Sequence, residues 1–247
     1  MKAMIRLRVD AVLTVYDGFT GRAVTPTSVL VTLDGVYYNP ERRTGGYLVF
    51  CGLSSGEHEV VLKSPYFVDE KITLTVSSDE RFERVINLKP GARYPFTRQV
   101  TRLYAQFTEK GASLSGKRMY IASPGAAEIK IAQDSADAGE YQTKLYIRGN
   151  LNSMALPGEY MILDGENSEV CTLTEVLNGN GSVAAAFKSA HKRGTVLKPC
   201  QAYVTNEDGK VTAYYRTSVE IDVFCEDSRK LSAYALEEGD NNLTIDI

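Results

Sequence analysis

Ile5-Arg6-Leu7-Arg8-Val9-Asp10-Ala11-Val12-Leu13-Thr14-Val15-Tyr16 decides the class of this chain. Ile5, Leu7, Val9, Ala11, Leu13 and Val15 recur at every second position, which sets one apolar row on a single face of a long strand. Asp17-Gly18-Phe19-Thr20-Gly21-Arg22 then turns the chain. Val29-Leu30-Val31-Thr32-Leu33 stops at Asp34-Gly35, a strong hairpin signal. Gly45-Gly46-Tyr47-Leu48-Val49-Phe50 and Gly56-Glu57-His58-Glu59-Val60-Val61-Leu62 continue the pattern, and residues 71–76 and 82–88 extend it to Leu88. The expectation is one Greek-key β-sandwich over residues 1–88.

Composition allows a second β-domain. The chain has 247 residues, enough for one large β-domain or two smaller ones, and 43% of them are apolar. A net charge of −3 with interleaved signs gives no pull toward nucleic acid. Trp is absent while Tyr numbers 15, a bias that suits an all-β interaction protein. Lys2, Arg6, Arg8 and Asp10 interrupt the apolar residues near the start, so this segment does not read as a secretory leader. No run is long enough to span a membrane as a helix. Cys51, Cys171, Cys200 and Cys225 form no Cys-x-x-Cys pair and read as buried thiols, with a Cys171–Cys225 disulfide as the alternative. Two histidines and these spacings argue against a zinc site.

Lys89-Pro90-Gly91-Ala92-Arg93-Tyr94-Pro95 reads as a stiff linker, because its two prolines block helix and ladder alike. Residues 96–247 read as a second β-rich domain of barrel or sandwich type. Its candidate strands are 102–107, 117–122, 141–147, 159–163, 170–176, 183–187, 201–205, 210–215, 219–224 and 243–247. Turns at Pro157-Gly158, Asp164-Gly165, Asn178-Gly179-Asn180-Gly181 and Asn206-Glu207-Asp208-Gly209 separate several of them. Residues 184–186 and 228–236 are candidate short helices, and residues 134–140 read as a mobile loop. No internal repeat stands out.

Residues 5–88 resemble the carboxypeptidase regulatory-like domain, a prealbumin-like sandwich of seven strands. The resemblance rests on the long first strand into Asp17-Gly18-Phe19-Thr20-Gly21-Arg22, on Val29-x-Val31-x-Leu33-Asp34-Gly35, on Gly45-Gly46-Tyr47-Leu48-Val49-Phe50, and on Gly52-Leu53-Ser54-Ser55-Gly56-Glu57-His58-Glu59-Val60. It implies a fold and an accessory role, with no chemistry. Residues 157–196 are similar to β-segments of phage tail and baseplate proteins. That resemblance rests on Pro157-Gly158-Glu159-Tyr160-Met161-Ile162-Leu163, Asn167-Ser168-Glu169-Val170-Cys171-Thr172-Leu173 and Ala190-His191-Lys192-Arg193-Gly194-Thr195-Val196.

Few residues point to chemistry. His58 shares a strand side with Val60 and Leu62 and reads as structural. Lys188, His191, Lys192 and Arg193 form a cationic cluster that would suit an anion or an acidic partner, against the plainer reading of a solvated turn. Asp164-Gly165-Glu166-Asn167 and Asn206-Glu207-Asp208-Gly209 offer oxygens but miss the calcium-loop pattern, so no metal is expected. No Gly-x-Ser-x-Gly and no phosphate loop occur, so no catalytic residue and no cofactor are assigned. Asn180 and Asn242 open glycosylation sequons, a pattern that also arises by chance. Tyr37, Tyr38, Tyr66, Tyr214 and Tyr215 are the interface candidates, because adjacent strand residues face opposite sides and one of each aromatic pair must point outward.

These readings converge on a non-enzymatic protein that acts through other protein subunits. The leading expectation is a structural or adaptor component of a bacterial phage-tail-like contractile particle, made in the cytoplasm and assembled there. The alternative is a surface or secreted binding module for carbohydrate or protein.

Overall fold

The computed structural model describes residues 8–78, 80–123, 127–149, 158–225 and 230–247. Residues 5–7 of the opening alternation, Pro157, and residues 228–229 of one candidate helix lie outside this set. The chain divides into two compact units, Met1–Thr97 and Arg98–Ile247. Both are built from strands, as the alternation requires, and the all-β expectation with an N-terminal sandwich holds.

The first unit contains β1 (Val9–Asp17), β2 (Leu30–Leu33), β3 (Val36–Tyr38), β4 (Glu41–Arg43), β5 (Tyr47–Cys51), β6 (Gly56–Lys63), β7 (Glu70–Val76) and β8 (Phe82–Leu88). They form two sheets of four, β4-β5-β1-β8 and β3-β2-β6-β7. The short edge strand β4 raises the count from seven to eight. β1 lies antiparallel to β5 and parallel to β8. Ala11, Leu13 and Val15 of β1 are buried against Val31, Leu48, Phe50, Val60, Leu62, Ile72, Leu74, Ile86 and Leu88. Each of these side chains larger than Ala contributes roughly 1.5–3 kcal/mol relative to exposure. Asp34 (φ 50°) and Gly35 (φ 79°) make the two-residue β2–β3 hairpin, whose positive φ values match strand twist.

The 89–95 segment packs onto this unit. The Tyr94 hydroxyl donates to Asp17 Oδ2 at 2.5 Å, and the same carboxylate accepts from Phe19 N–H, Thr20 N–H and Thr20 Oγ1. The Tyr94 ring meets Phe19, Phe67 and Phe96 at centroid distances of 5.6, 5.5 and 4.8 Å.

The second unit contains β9 (Thr101–Glu109), β10 (Ala112–Ser113), β11 (Arg118–Ala122), β12 (Ala127–Ile131), β13 (Ser135–Ala136), β14 (Gln142–Gly149), β15 (Gly158–Leu163) and β16 (Glu169–Leu177). It continues with β17 (Asn180–Val183), β18 (His191–Lys192), β19 (Val196–Val204), β20 (Lys210–Tyr215), β21 (Val219–Cys225), β22 (Lys230–Leu236) and β23 (Gly239–Asp246).

Its pairings repeat those of the first unit, so the repeat that the sequence does not show is present in the topology. β9 lies antiparallel to β20 and parallel to β23, as β1 does to β5 and β8. The facing sheet runs β19-β11-β21-β22, all antiparallel, as β3-β2-β6-β7 does. Leu103, Ala105, Phe107, Met119, Ile121, Val211, Ala213, Ile221, Val223, Leu236 and Ile245 fill the sandwich between.

Apart from the short strands β4 and β10, the two copies differ in one connection. In the first, β2 and β3 are joined by Asp34-Gly35. In the second, the corresponding strands β11 and β19 pair from Ala122↔Cys200 onward, and β12 to β18 are inserted between them. The insertion closes a six-stranded barrel, β12-β14-β17-β16-β15-β19, completed by β12 against β19. Ile129, Ile131, Leu145, Tyr160, Ile162, Leu173, Val183, Phe187 and Leu197 fill its interior. β19 serves both bodies. Its first half pairs β15 and β12 in the barrel, and its second half pairs β11 in the sandwich. Met161 and Leu163 of β15 and Val170 of β16 cover the outer face of the sandwich sheet, burying Tyr120, Ala122 and Phe224.

Four local expectations are corrected. Residues 184–187 are neither strand nor helix, because β17 ends at Val183 and Phe187 turns inward to be buried in the barrel. Residues 230–236 form β22, not a helix, paired along β21. Residues 134–140 are not a free loop, since Ser135 and Ala136 pair with Lys192 and His191. The set 188–193 is not a uniformly solvated cationic turn, since His191 is buried while Lys188, Lys192 and Arg193 are exposed.

Candidate functional site

His191 is fully buried. Its Nδ1 lies 2.9 Å from Asp164 Oδ2 and its Nε2 lies 2.8 Å from Glu169 Oε1. Glu169 opens β16 and also accepts the backbone N–H groups of Lys188 and Ser189. Asp164 sits in the turn after β15 and retains some exposure. Burial pulls the imidazole toward neutrality, but the two carboxylates overrule it and leave its pKa raised. Burial likewise pushes Glu169 up, and His191 with the two N–H groups brings it below the usual carboxylate value. Both ring nitrogens face carboxylates, so neither offers a lone pair to a metal. Among the described residues no group of three or more His, Cys, Asp or Glu is arranged to hold one. The predicted cluster is therefore divided: His191 is inside, while Lys188, Lys192 and Arg193 remain nearer the surface, with Arg193 against Asp134 at 3.5 Å.

His58 forms a second constellation. Its Nδ1 lies 2.7 Å from Asp34 Oδ2, and its Nε2 lies 3.3 Å from Ser54 Oγ. The residue types match a Ser-His-Asp hydrolase, but the roles do not. Nε2 is closer, at 2.9 Å, to the Ser54 carbonyl, an acceptor that holds a proton on that nitrogen. A general base needs that nitrogen free to take the serine proton. The hydrogen bond to Asp34 and then that to the carbonyl raise the His58 pKa, and the ring bridges the Asp34-Gly35 turn to Ser54.

The tyrosines fall into distinct settings. Tyr37 is exposed on edge strand β3, while Tyr38 stacks on Phe50 at 5.5 Å. Tyr66 is exposed and its neighbour Phe67 packs on Tyr94. Tyr215 packs on the second sandwich core, and Tyr214 lies half-buried on β20. All four cysteines are free, and Cys171 and Cys225 belong to different cores, which corrects the disulfide alternative. Burial pushes the Cys171 thiol up to about 12, so it is inert at neutral pH. Asn206 Oδ1 accepts from Asp208 N–H and Lys210 N–H, which makes that candidate calcium turn a hairpin stitched by its own side chain.

The sequence reading missed Asp164 and Glu169 as partners of His191, although the polar run around Asp164 was visible. It also missed the outer face of β14, where Gln142, Lys144, Tyr146 and Arg148 alternate with the buried Thr143 and Leu145.

No protein-family model matches the chain, and no curated protein matches it. Solved structures give remote likenesses. The streptococcal ancillary pilin is 9% identical with a TM-score of 0.27, over 95% of this chain and 67% of that chain. A variant of the major pilin subunit of Bacillus cereus is 11% identical with a TM-score of 0.28, over 96% and 98% of the two chains. The shaft pilin of Lactobacillus rhamnosus is 10% identical with a TM-score of 0.26, over 96% of each chain. Likenesses at this level carry no functional argument.

Proposed function

We propose that this chain is a non-enzymatic structural and adhesive component that works by contact with other macromolecules at the cell surface. The observation that carries the reading is the barrel inserted into the β11–β19 hairpin of a repeated sandwich. The barrel interior is filled by its own side chains, so what it offers a partner is its outside. Both histidines are committed to structural pairs. The exposed Tyr37 and Tyr66 remain candidate contact residues in this reading.

The contractile-particle reading is set aside. The 158–196 segment that suggested it supplies three of the six strands of the barrel, and nothing in the comparisons supports that reading. Among the described residues no helix is long and apolar enough to cross a membrane.

The test is labelling of intact producing cells with a membrane-impermeant amine reagent, followed by recovery of the chain, alongside attachment assays of a deletion strain. Surface labelling and reduced attachment are expected. A chain labelled only after lysis overturns the proposal.

A further inference from the structure

The barrel has a covered side and an open side. β15 lies against the sandwich, with Met161 buried and Leu163 partly buried there, and β19 runs on into the sandwich sheet. β14 pairs β12 on one edge and β17 on the other, and its outer row is Gln142, Lys144, Tyr146 and Arg148, all exposed. Successive members of such a row lie roughly 7 Å apart. Lys130 of β12 stands directly opposite Tyr146, and Glu128 directly opposite Arg148. Lys130 and Glu128 pair at 2.6 Å. The face thus carries the cations Lys130, Lys144 and Arg148 and the carboxylate Glu128 around one phenol ring, with Glu175 of β16 opposite Ser182 at its far edge, in a chain whose net charge is −3. Asn180 stands opposite Lys144 and Ser182 opposite Gln142, so amides and a hydroxyl extend the face.

We propose that this outer face of β14 binds an acidic polysaccharide, with Tyr146 as the platform for a sugar ring and Lys144 and Arg148 as partners of its carboxylates. The proposal rests on the adhesive reading above and names its partner. Three features favour this occupant. An exposed ring flanked by cations at two-residue spacing offers stacking and charge neutralisation together. Amide and hydroxyl groups beside it suit hydroxyl-rich, hydrated ligands. A protein partner needs an apolar centre and disfavours lysine there, whereas the centre of this face is polar around its ring and its exposed apolar residue, Leu177, stands at the margin opposite Asn180.

The experiment uses the full chain and measures its binding to polygalacturonate, with neutral dextran, poly-glutamate and duplex DNA as comparisons. Saturable binding to polygalacturonate that weakens with salt is expected, with dextran unbound and poly-glutamate and DNA at least about tenfold weaker, since each tenfold is about 1.4 kcal/mol. Lys144→Gln with Arg148→Gln should weaken binding about tenfold or more, and Tyr146→Ser should weaken it severalfold at unchanged circular dichroism. Lys63→Gln, on the first unit, should leave it unchanged. Equal affinity for poly-glutamate or DNA, unaltered binding by the variants, or no binding to polygalacturonate each overturns the proposal. A chain that is surface-labelled and needed for attachment yet ignores polygalacturonate refutes this inference alone. A chain found only inside cells refutes the adhesive reading whatever it binds.

Discussion

Replacing His191 with Phe removes the buried imidazole that two carboxylates share. Glu169 would keep the N–H groups of Lys188 and Ser189, and Asp164 would keep its solvent contact, so neither is stranded outright. Breaking a buried ion pair from one side costs about 3–5 kcal/mol, and these remaining partners place the loss near the lower end, at about 3 kcal/mol. For a unit of this size each kcal/mol moves Tm by roughly 2–4 °C, so a fall of about 6–12 °C is expected for the second unit. The pH dependence has a definite sign. His191 has a raised pKa, so its contribution is fully present below its unfolded value near 6.5 and is lost as pH rises through the folded value. Glu169 has a lowered pKa, so its contribution is present above its unfolded value near 4.5 and is lost as pH falls through the folded value. The pair therefore contributes most between about pH 4.5 and 6.5. Calorimetric scans of the wild type, His191→Phe and the exposed control Lys192→Gln across pH 4–9 read this directly. His58 also has a raised pKa, so the comparison is between variants at each pH. A His191→Phe protein whose Tm lies within about 2 °C of wild type at pH 6, with an unchanged pH profile, refutes the reasoning.

Further outcomes are expected elsewhere. Tyr94→Phe removes a donor to the buried Asp17 carboxylate and should cost about 1–3 kcal/mol by denaturant unfolding of the first unit. Gly46→Ala forces a side chain onto a residue at φ 82° and into the Val15 carbonyl, so a loss of about 1–3 kcal/mol should appear in the same assay. Tyr37→Ser should leave stability within about 0.5 kcal/mol yet reduce attachment of producing cells, because the ring is 63% exposed on edge strand β3. Excising the barrel and joining Ala122 to Cys200 through Asn-Gly should give an aggregating protein by light scattering, since Tyr120 and Phe224 lose their cover.

The first sandwich was legible because each strand buries one face, so period-two alternation maps onto the core: Ala11, Leu13 and Val15 point in as read. Single-residue geometry also marked its turns, as at Asp34-Gly35. For the second unit the sequence left barrel and sandwich open, and both are present; it did not say which strands make which, because closure is a matter of which strands pair, and alternation in β14 or β16 is the same in an open sheet. The His191 site was hidden for a related reason. Its partners lie 27 and 22 residues away, and only the pairing of β18 with β13 turns the ring inward beside lysines that stay outside. One signal did distinguish the covered sheet. Met119-Tyr120-Ile121-Ala122 and Ile221-Asp222-Val223-Phe224-Cys225 are buried on both faces, the pattern of a strand in a middle layer.

The repeat escaped the sequence because the insertion destroys any fixed period, yet the position of the insertion is physically reasonable. β11 and β19 are antiparallel neighbours, so the chain leaves and re-enters the sandwich across one strand spacing. Holding the ends of a long segment together costs little more than holding those of a short one, since closure entropy grows only logarithmically with length. In return the segment supplies its own filled interior and a second layer over the sandwich. β19 makes the junction rigid, because the strand that completes the barrel at Val196 to Pro199 runs on as the strand paired with β11 from Cys200. A two-residue turn in the first copy and a barrel in the second are thus alternative solutions to the same connection. The second places the β14 face on the side of the barrel away from the sandwich, where a partner can reach it.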